Sequence, residues 1–190
     1  MSTTNAAMTG TRADAIELLT SDHREVEQFF KQYEAATKDD GVAHHAAEEI
    51  IKGLSIHAAI EEMILYPTMR KAAPDQEGLV DHSLEEHQEV KELLAKVDGK
   101  PANDPEVRKI FGELKSSVEE HVSEEEGKLF PALRRHVKED ELMALGEKMA
   151  KAKGMAPTHP HPNAPNTPPG NIVAGPLAAM ADKVRDFLKQ

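Results

Sequence analysis

Two stretches, His57-Ala-Ala-Ile-Glu61-Glu62-Met-Ile-Leu-Tyr-Pro67 and His121-Val-Ser-Glu-Glu125-Glu126-Gly-Lys-Leu-Phe-Pro131, lie 64 residues apart and are close copies of each other. At the same offset upstream, Asp22-His23-Arg-Glu25-Val26 is echoed by Glu86-His87-Gln-Glu89-Val90. Four histidines and two carboxylates therefore recur in register. On a helix, residues four apart are rotated by only about 40° from each other, so each His-x-x-x-Glu pair aims two side chains at one place. A fold for this chain must either bring the two pairs together or leave both in solvent.

The apolar residues favour the first outcome. From about Thr11 to Thr37, Ile16, Leu19, Val26, Phe30 and Tyr33 follow a three-four alternation, and His23 takes the missing position in that seam. A second helix, about Val42 to Ala72, carries Ile50, Leu54 and Ile64 on the stripe that holds His57 and Glu61; Pro67 should kink it or begin its last turn. Val80, Val90, Leu94 and Val97 then reproduce the first seam, with His87 where His23 was. Asp104-Pro105 is a start signal for a fourth helix, whose inner stripe is Leu114, Val118, His121, Glu125 and Leu129. This helix is expected to bend at Pro131 and continue through Leu142, Met143, Leu145 and Met149 to Gly154. The connectors Asp39-Asp40-Gly41, Pro74-Asp75-Gln76-Glu77-Gly78 and Asp98-Gly99-Lys100-Pro101 are short, and short loops make neighbouring helices antiparallel. The predicted fold is all-α, an up-down-up-down four-helix bundle.

The chain divides into a disordered start (1–10), the bundle (11–153), a Pro-rich linker (154–174) and a C-terminal amphipathic helix (175–190). Leu177, Met180, Val184, Phe187 and Leu188 mark the apolar side of that last helix. Its mixed charges are not those of a membrane-surface helix, so it should dock on the bundle, on a second copy in a homodimer, or on another protein.

Composition narrows the chemistry. A net charge of -11 disfavours nucleic acid, which is bound by clustered Lys and Arg. Without cysteine there is no disulfide, iron–sulfur cluster or thiolate zinc site, which leaves His and carboxylate as the strong ligands. No run is of signal-peptide or membrane-spanning type, so the expectation is a soluble cytoplasmic protein with no membrane partner.

Six polar residues on the inner stripes of four helices would cost several kcal/mol per ionised group if buried without partners. The seams offer only Lys128 as a nearby counter-charge. One or two dications remove the difficulty. His23, His57, Glu61, His87, His121 and Glu125 are thus the candidate metal ligands, and two facing His-x-x-x-Glu pairs suggest a two-metal site with bridging carboxylates. Imidazole with carboxylate suits Fe, Mn or Zn. The spacing also differs from the Glu-x-x-His pairs of ferritin-like bundles.

The order His, His-x-x-x-Glu, His, His-x-x-x-Glu, with Leu-Tyr-Pro and Leu-Phe-Pro after the paired motifs, resembles the bacterial hemerythrin-like (HHE cation-binding) proteins over about Ala15 to His136. The resemblance implies a non-haem di-iron centre, with the four histidines as terminal ligands, Glu61 and Glu125 as bridges, and O2, peroxide or nitric oxide at an open position. Two departures stand out. Where oxygen-carrying hemerythrins have a histidine four residues before the one matching His87, this chain has Ser83, and the nearby His82 is rotated by about 140° from His87. Where they use an aspartate, this chain has Glu126, while the repeat favours Glu125. Glu62, Glu126 and Glu119-Glu120 are expected on solvated faces or behind a ligand imidazole. Tyr66, Met63 and Phe130 read as core, and His44-His45 and His159-Pro160-His161 as solvated. No separate nucleophile or acid/base dyad is evident. The alternatives to small-molecule binding are therefore catalase-like or nitric-oxide-directed redox turnover at the metals, or iron buffering or sensing in which occupancy controls folding.

Overall fold

The computed structural model describes residues 13–36 and 41–188; the expected disordered start at 1–10 and Asp39-Asp40 of the first connector lie outside them. All regular structure among the described residues is helical. Helix α1 (Ala15–Ala35) starts at a capping box in which the Asp14 carboxylate accepts from Glu17 N and the Glu17 side chain accepts from Asp14 N. Its buried face is Ala15, Ile16, Leu19, His23, Val26, Phe30 and Tyr33, the predicted seam. Helix α2 (Val42–Ile60) runs into a π-helical turn at Glu61–Leu65 and then α3 (Tyr66–Ala72). After a short 3-10 turn at Pro74–Gln76, α4 (Glu77–Val97) buries Val80, His87, Val90, Leu94 and Val97. Asp104 caps α5 (Pro105–Glu124) by accepting from Glu106 N at 2.8 Å, and Pro105 takes the first helical position as expected.

The fourth predicted helix departs from expectation. A second π-helical turn at Glu125–Leu129 leads to α6 (Phe130–His136); the chain then becomes extended at Val137 and Lys138, and a separate helix α7 (Glu139–Lys153) follows. The break lets buried Val137 enter the core and lets α7 turn back onto α1. Contact there is close: a Cβ on Gly146 would lie 2.5 Å from the Ala13 carbonyl oxygen.

Prolines explain the π turns. Pro67 and Pro131 follow directly on Tyr66 and Phe130, whose N–H groups donate to Glu61 O and Glu125 O, five residues back. Proline has no N–H to extend a regular ladder, and its ring clashes with the carbonyl four residues earlier; one wider turn relieves both. It also turns two consecutive residues inward, so Glu61 and Glu62 are both buried.

The tail is no free linker. From Pro157 it crosses the seam between α2 and α4, and α8 (Gly170–Leu188) docks along it. Helix α8 faces the bundle with small and polar residues, Asn171, Ala179 and Asp182, while Val173, Leu177, Met180, Val184 and Phe187 point outward, Phe187 at 76% exposure. The side chain of Leu188, also assigned to that stripe, lies outside the described residues. Charge and hydrogen bonds hold the tail. His159 bridges Asp98 and Asp186 at 3.0 and 2.8 Å, Arg185 binds Asp98 at 2.7 Å, and the Asp182 carboxylate accepts from Thr158 N, His159 N and His161 Nε2. The two tail histidines are therefore engaged rather than solvated. No described helix is long and apolar enough to cross a membrane.

Candidate metal centre

The apolar core forms two clusters. One holds Leu19, Ile60, Tyr66, Leu129 and Leu133; the other holds Phe30, Tyr33, Ile50, Leu94, Phe111 and Leu114. Between them lies a polar layer containing all six predicted ligands, each buried. His23 Nε2 and His57 Nε2 are 3.2 Å apart, and so are His87 Nε2 and His121 Nε2. Glu61 Oε2 lies 3.1 Å from His57 Nε2 and 3.4 Å from His87 Nε2, so it spans both histidine pairs. Glu125 Oε2 spans them the other way, 3.4 Å from His23 Nε2 and 3.5 Å from His121 Nε2. The result is close to twofold. Donor atoms of His23, His57, Glu61 and Glu125 lie within 4.8 Å of one another, as do those of Glu61, His87 and His121.

Behind each imidazole stands another carboxylate. Glu126 is 2.9 Å from His23 Nδ1, Glu62 is 3.1 Å from His87 Nδ1, and Glu86 is 2.8 Å from His121 Nδ1; Asp22 is 3.5 Å from His57 Nδ1. A proton held at Nδ1 leaves the Nε2 lone pair facing inward, the orientation a metal requires. These carboxylates are matched by bases outside the seams: Arg24 on Glu126, Lys91 on Glu62 and Lys153 on Asp22. Lys128, the counter-charge read from the seam, binds Glu124 instead.

The inner residues fit a bound cation. Glu61 and Glu125 are both 0% exposed, and three of their four carboxylate oxygens, Glu61 Oε1 and Oε2 and Glu125 Oε2, have no hydrogen-bond partner. Buried carboxylates left in this state cost several kcal/mol. Imidazole nitrogens and carboxylate oxygens converging on two points suit Fe, Mn or Zn. Two of the imidazoles, those of His57 and His87, respond to these carboxylates: burial opposes charge on His57, but Glu61 and Asp22 outweigh it and raise its pKa to about 10. His87 is likewise raised, to about 9, against burial, by Glu61 and Glu62.

The comparisons agree with this geometry. The hemerythrin HHE cation-binding domain profile matches residues 14–133. A hemerythrin-like protein of Schizosaccharomyces pombe is 32% identical over 170 residues, covering 89% of this chain and 83% of its own length. The chain belongs to the hemerythrin HHE cation-binding family. A crystal structure of a hemerythrin HHE cation-binding domain-containing protein from Mycobacterium kansasii superposes with a TM-score of 0.64 at 26% identity, covering 75% of this chain and 88% of that one. A Nostoc protein named a DNA nickase is 29% identical over 139 residues, 72% of this chain but 39% of that protein. This hemerythrin-like chain thus spans about two fifths of the Nostoc protein's length.

Within the hemerythrin-like fold, His82 stands outside the inner layer, half-exposed, and Glu125 rather than Glu126 joins the six. Phe130 stacks on His23 with ring centroids 5.8 Å apart, and Met63 lines the cavity under the tail. Tyr66 was read as core; it is buried, but its hydroxyl lies 3.1 Å from His87 Nε2 and donates to Glu125 Oε1 at 3.1 Å. Glu62, expected on a solvated face or behind a ligand imidazole, stands behind His87, as its repeat partner Glu126 stands behind His23. Lys91, which binds Glu62, was missed. His44 and His45 are exposed, as expected.

A cavity of about 30 Å³ lies against the four imidazoles, walled by Val26, Leu54, Val90, Val118 and Val122. His23, Val118 and Val122 also line a wider cleft of about 260 Å³ between α1 and α5, with Arg24 and Lys115 at its edge. The seam related to this one by the repeat, between α2 and α4, is the one the tail covers.

Proposed function

We propose that this chain is a cytoplasmic non-haem di-iron protein that binds O2 or a related small molecule, peroxide or nitric oxide, for sensing, delivery or detoxification. His23, His57, His87 and His121 would hold the irons terminally and Glu61 and Glu125 would bridge them. The observation that carries this reading is the pair of fully buried glutamates, three of whose four oxygens lack a hydrogen bond while each glutamate spans two histidine pairs. Iron rather than zinc is the metal because small-molecule redox chemistry needs an accessible change of oxidation state. When bound, two irons supply electrons and an open coordination position.

The protein's own part is orientation and exclusion. Outer carboxylates hydrogen-bond and orient the imidazoles of His23, His87 and His121, and Asp22 stands 3.5 Å from that of His57. The valine-walled cavity keeps bulk water out and has room for about one or two small-molecule atoms beyond hydrogen, since a water needs roughly 10–15 Å³ of such space. Tyr66 carries a hydroxyl proton beside His87 and Glu125. The α1/α5 cleft is the access route.

A second reading, metal sensing, is favoured by one contact. Glu62, which orients His87, and Lys91, which binds Glu62, both line the cavity under the tail, so events at the centre have a short path to α8. Redox turnover of catalase type is the enzymatic form of the first reading. Elemental analysis of untagged protein, with visible spectra in air and after reduction, tests both. About two irons per chain, with a band that changes on reduction and is lost in Glu61→Ala, is the expected result. A colourless, fully folded, metal-free protein overturns the proposal.

A further inference from the structure

The four carboxylates behind the imidazoles are not equivalent. Glu126, Glu62 and Asp22 each bind a basic side chain, Arg24, Lys91 and Lys153. Glu86, the repeat partner of Asp22, has no Lys or Arg within ion-pair distance among the described residues. Its Oε2 accepts from His121 Nδ1 at 2.8 Å, and its Oε1 lies 3.5 Å from His82 Nε2. The same His82 nitrogen is 3.7 Å from Glu124 Oε2. Lys128 takes Glu124 Oε1 and leaves Oε2 free for another partner.

These distances have a chemical meaning. Around an ion with bonds of about 2.1 Å, neighbouring ligand atoms lie roughly 3.0–3.4 Å apart, and His82 Nε2 is within a few tenths of an ångström of that spacing from both Glu86 and Glu124. All three donor atoms lie within 4.8 Å of one another. His82 and Glu86 also repeat the His-x-x-x-Glu spacing of the inner pairs on the outside of α4. Among the described residues, the same spacing at His44 and Glu48 gathers no third ligand. The other half of the repeat is different again: Leu18 and Ile60 stand where His82 and Glu124 would map, and Asp22 has Lys153 instead.

We propose that His82, Glu86 and Glu124 form a third metal site, for a single divalent transition-metal ion, between α4 and α5. The ion takes the place that Lys153 fills on the opposite side. One nitrogen and two carboxylate oxygens select Zn2+, Fe2+, Mn2+ or Co2+ over Ca2+, and half-exposed His82 leaves the remaining positions to water. Glu86 links the outer ion to His121, so occupancy of the outer site tightens the orientation of an inner ligand. The geometry of the outer site does not depend on the di-iron reading.

Calorimetric titration of the full-length metal-free protein with Zn2+ tests the proposal. The wild type should bind one equivalent more than His82→Ala or Glu124→Gln, both at surface positions that leave the helical content and melting temperature unchanged. In each variant the affinity for that equivalent should fall tenfold or more. His57→Ala should lose inner binding and keep the His82-dependent equivalent. Should the inner equivalents be absent while the His82-dependent one remains, the di-metal proposal fails and this one stands. Superimposable isotherms for wild type and His82→Ala overturn the outer site.

Discussion

Tyr66 and Phe130 occupy matching positions in the two halves of the repeat, yet only Tyr66 brings an oxygen to the centre. Its hydroxyl lies 3.1 Å from both His87 Nε2 and Glu125 Oε1, whereas the Phe130 ring lies nearly parallel to that of His23. The two histidine pairs therefore sit in chemically distinct surroundings. In the metal-free protein Tyr66→Phe removes the hydrogen bond that Glu125 Oε1 accepts and should cost about 1–3 kcal/mol by denaturant unfolding. In the metal-loaded protein the loss should be smaller, because the ion compensates Glu125. An equal loss in both states would mean that Glu125 does not face the ion.

Removing an outer carboxylate should weaken metal binding without removing a ligand. Glu62→Ala frees His87 Nδ1 and strands Lys91, and chelator competition should show roughly a 10–100-fold loss of metal affinity. Unchanged affinity would show that the packing of α2 and α4 alone fixes His87.

Proton release should accompany metal uptake. The pKa values of His57 and His87 are raised in the metal-free fold to about 10 and about 9, so both are protonated at pH 7 and must deprotonate to coordinate. Because these pKa values lie above the unfolded one, the histidines' contribution to metal-free stability is complete below about pH 6.5 and is lost as pH rises through 9 to 10. Calorimetry of metal binding at pH 7 in buffers of differing ionisation heat should therefore report protons released. Unfolding of the metal-free form at pH 6 and pH 10 should show the loss at high pH; a rise in stability over that range would refute the charged-imidazole picture.

Small ligands should enter between α1 and α5. With azide as a probe of the loaded protein, Val122→Phe should slow binding by about tenfold or more, since the cleft must open for each passage. Deleting residues 155 to 190 should leave the rate within about twofold. Slowing by Val122→Phe alone identifies the route, whereas acceleration by the deletion would make the tail a lid.

Gly146→Ala should destabilise the protein by about 1–3 kcal/mol, because the added methyl meets backbone of residues 13 to 15 rather than a movable side chain. Thermal unfolding measures it. The same change at Gly112, where a Cβ meets nothing within 4 Å, should be neutral or slightly stabilising.

What could be read in advance was whatever repeats. The seam of Ile16, Leu19, Val26, Phe30 and Tyr33 and its echo at Val80, Val90, Leu94 and Val97 carry the helical period, and the six inner residues interrupt those seams at matching places. Residues acting across helices were harder to see. Lys91, Arg24 and Lys153 reach the site from outside the apolar stripes, and only the packed bundle brings Lys153 of α7 to Asp22 of α1. The break at Val137 gave no glycine or proline signal. The orientation of α8 inverted the amphipathic rule, because four charge-based tail contacts, at Asp98, Asp182, Asp186 and Arg185, outweigh the burial of its apolar stripe.

The two π turns make the centre sensitive to chain length as well as to residue type. Each turn contains one residue more than an α-helix would use, so deleting one residue there restores an ordinary α turn and leaves the flanking helices in phase. The deletion would instead press the ring of Pro67 or Pro131 against the carbonyl four residues back and remove the widening that turns Glu61 and Glu62 inward together. A side chain in this site can be exchanged with local consequences, whereas a single deletion at Met63 or Gly127 keeps the bundle in register and disturbs the carboxylates at its centre.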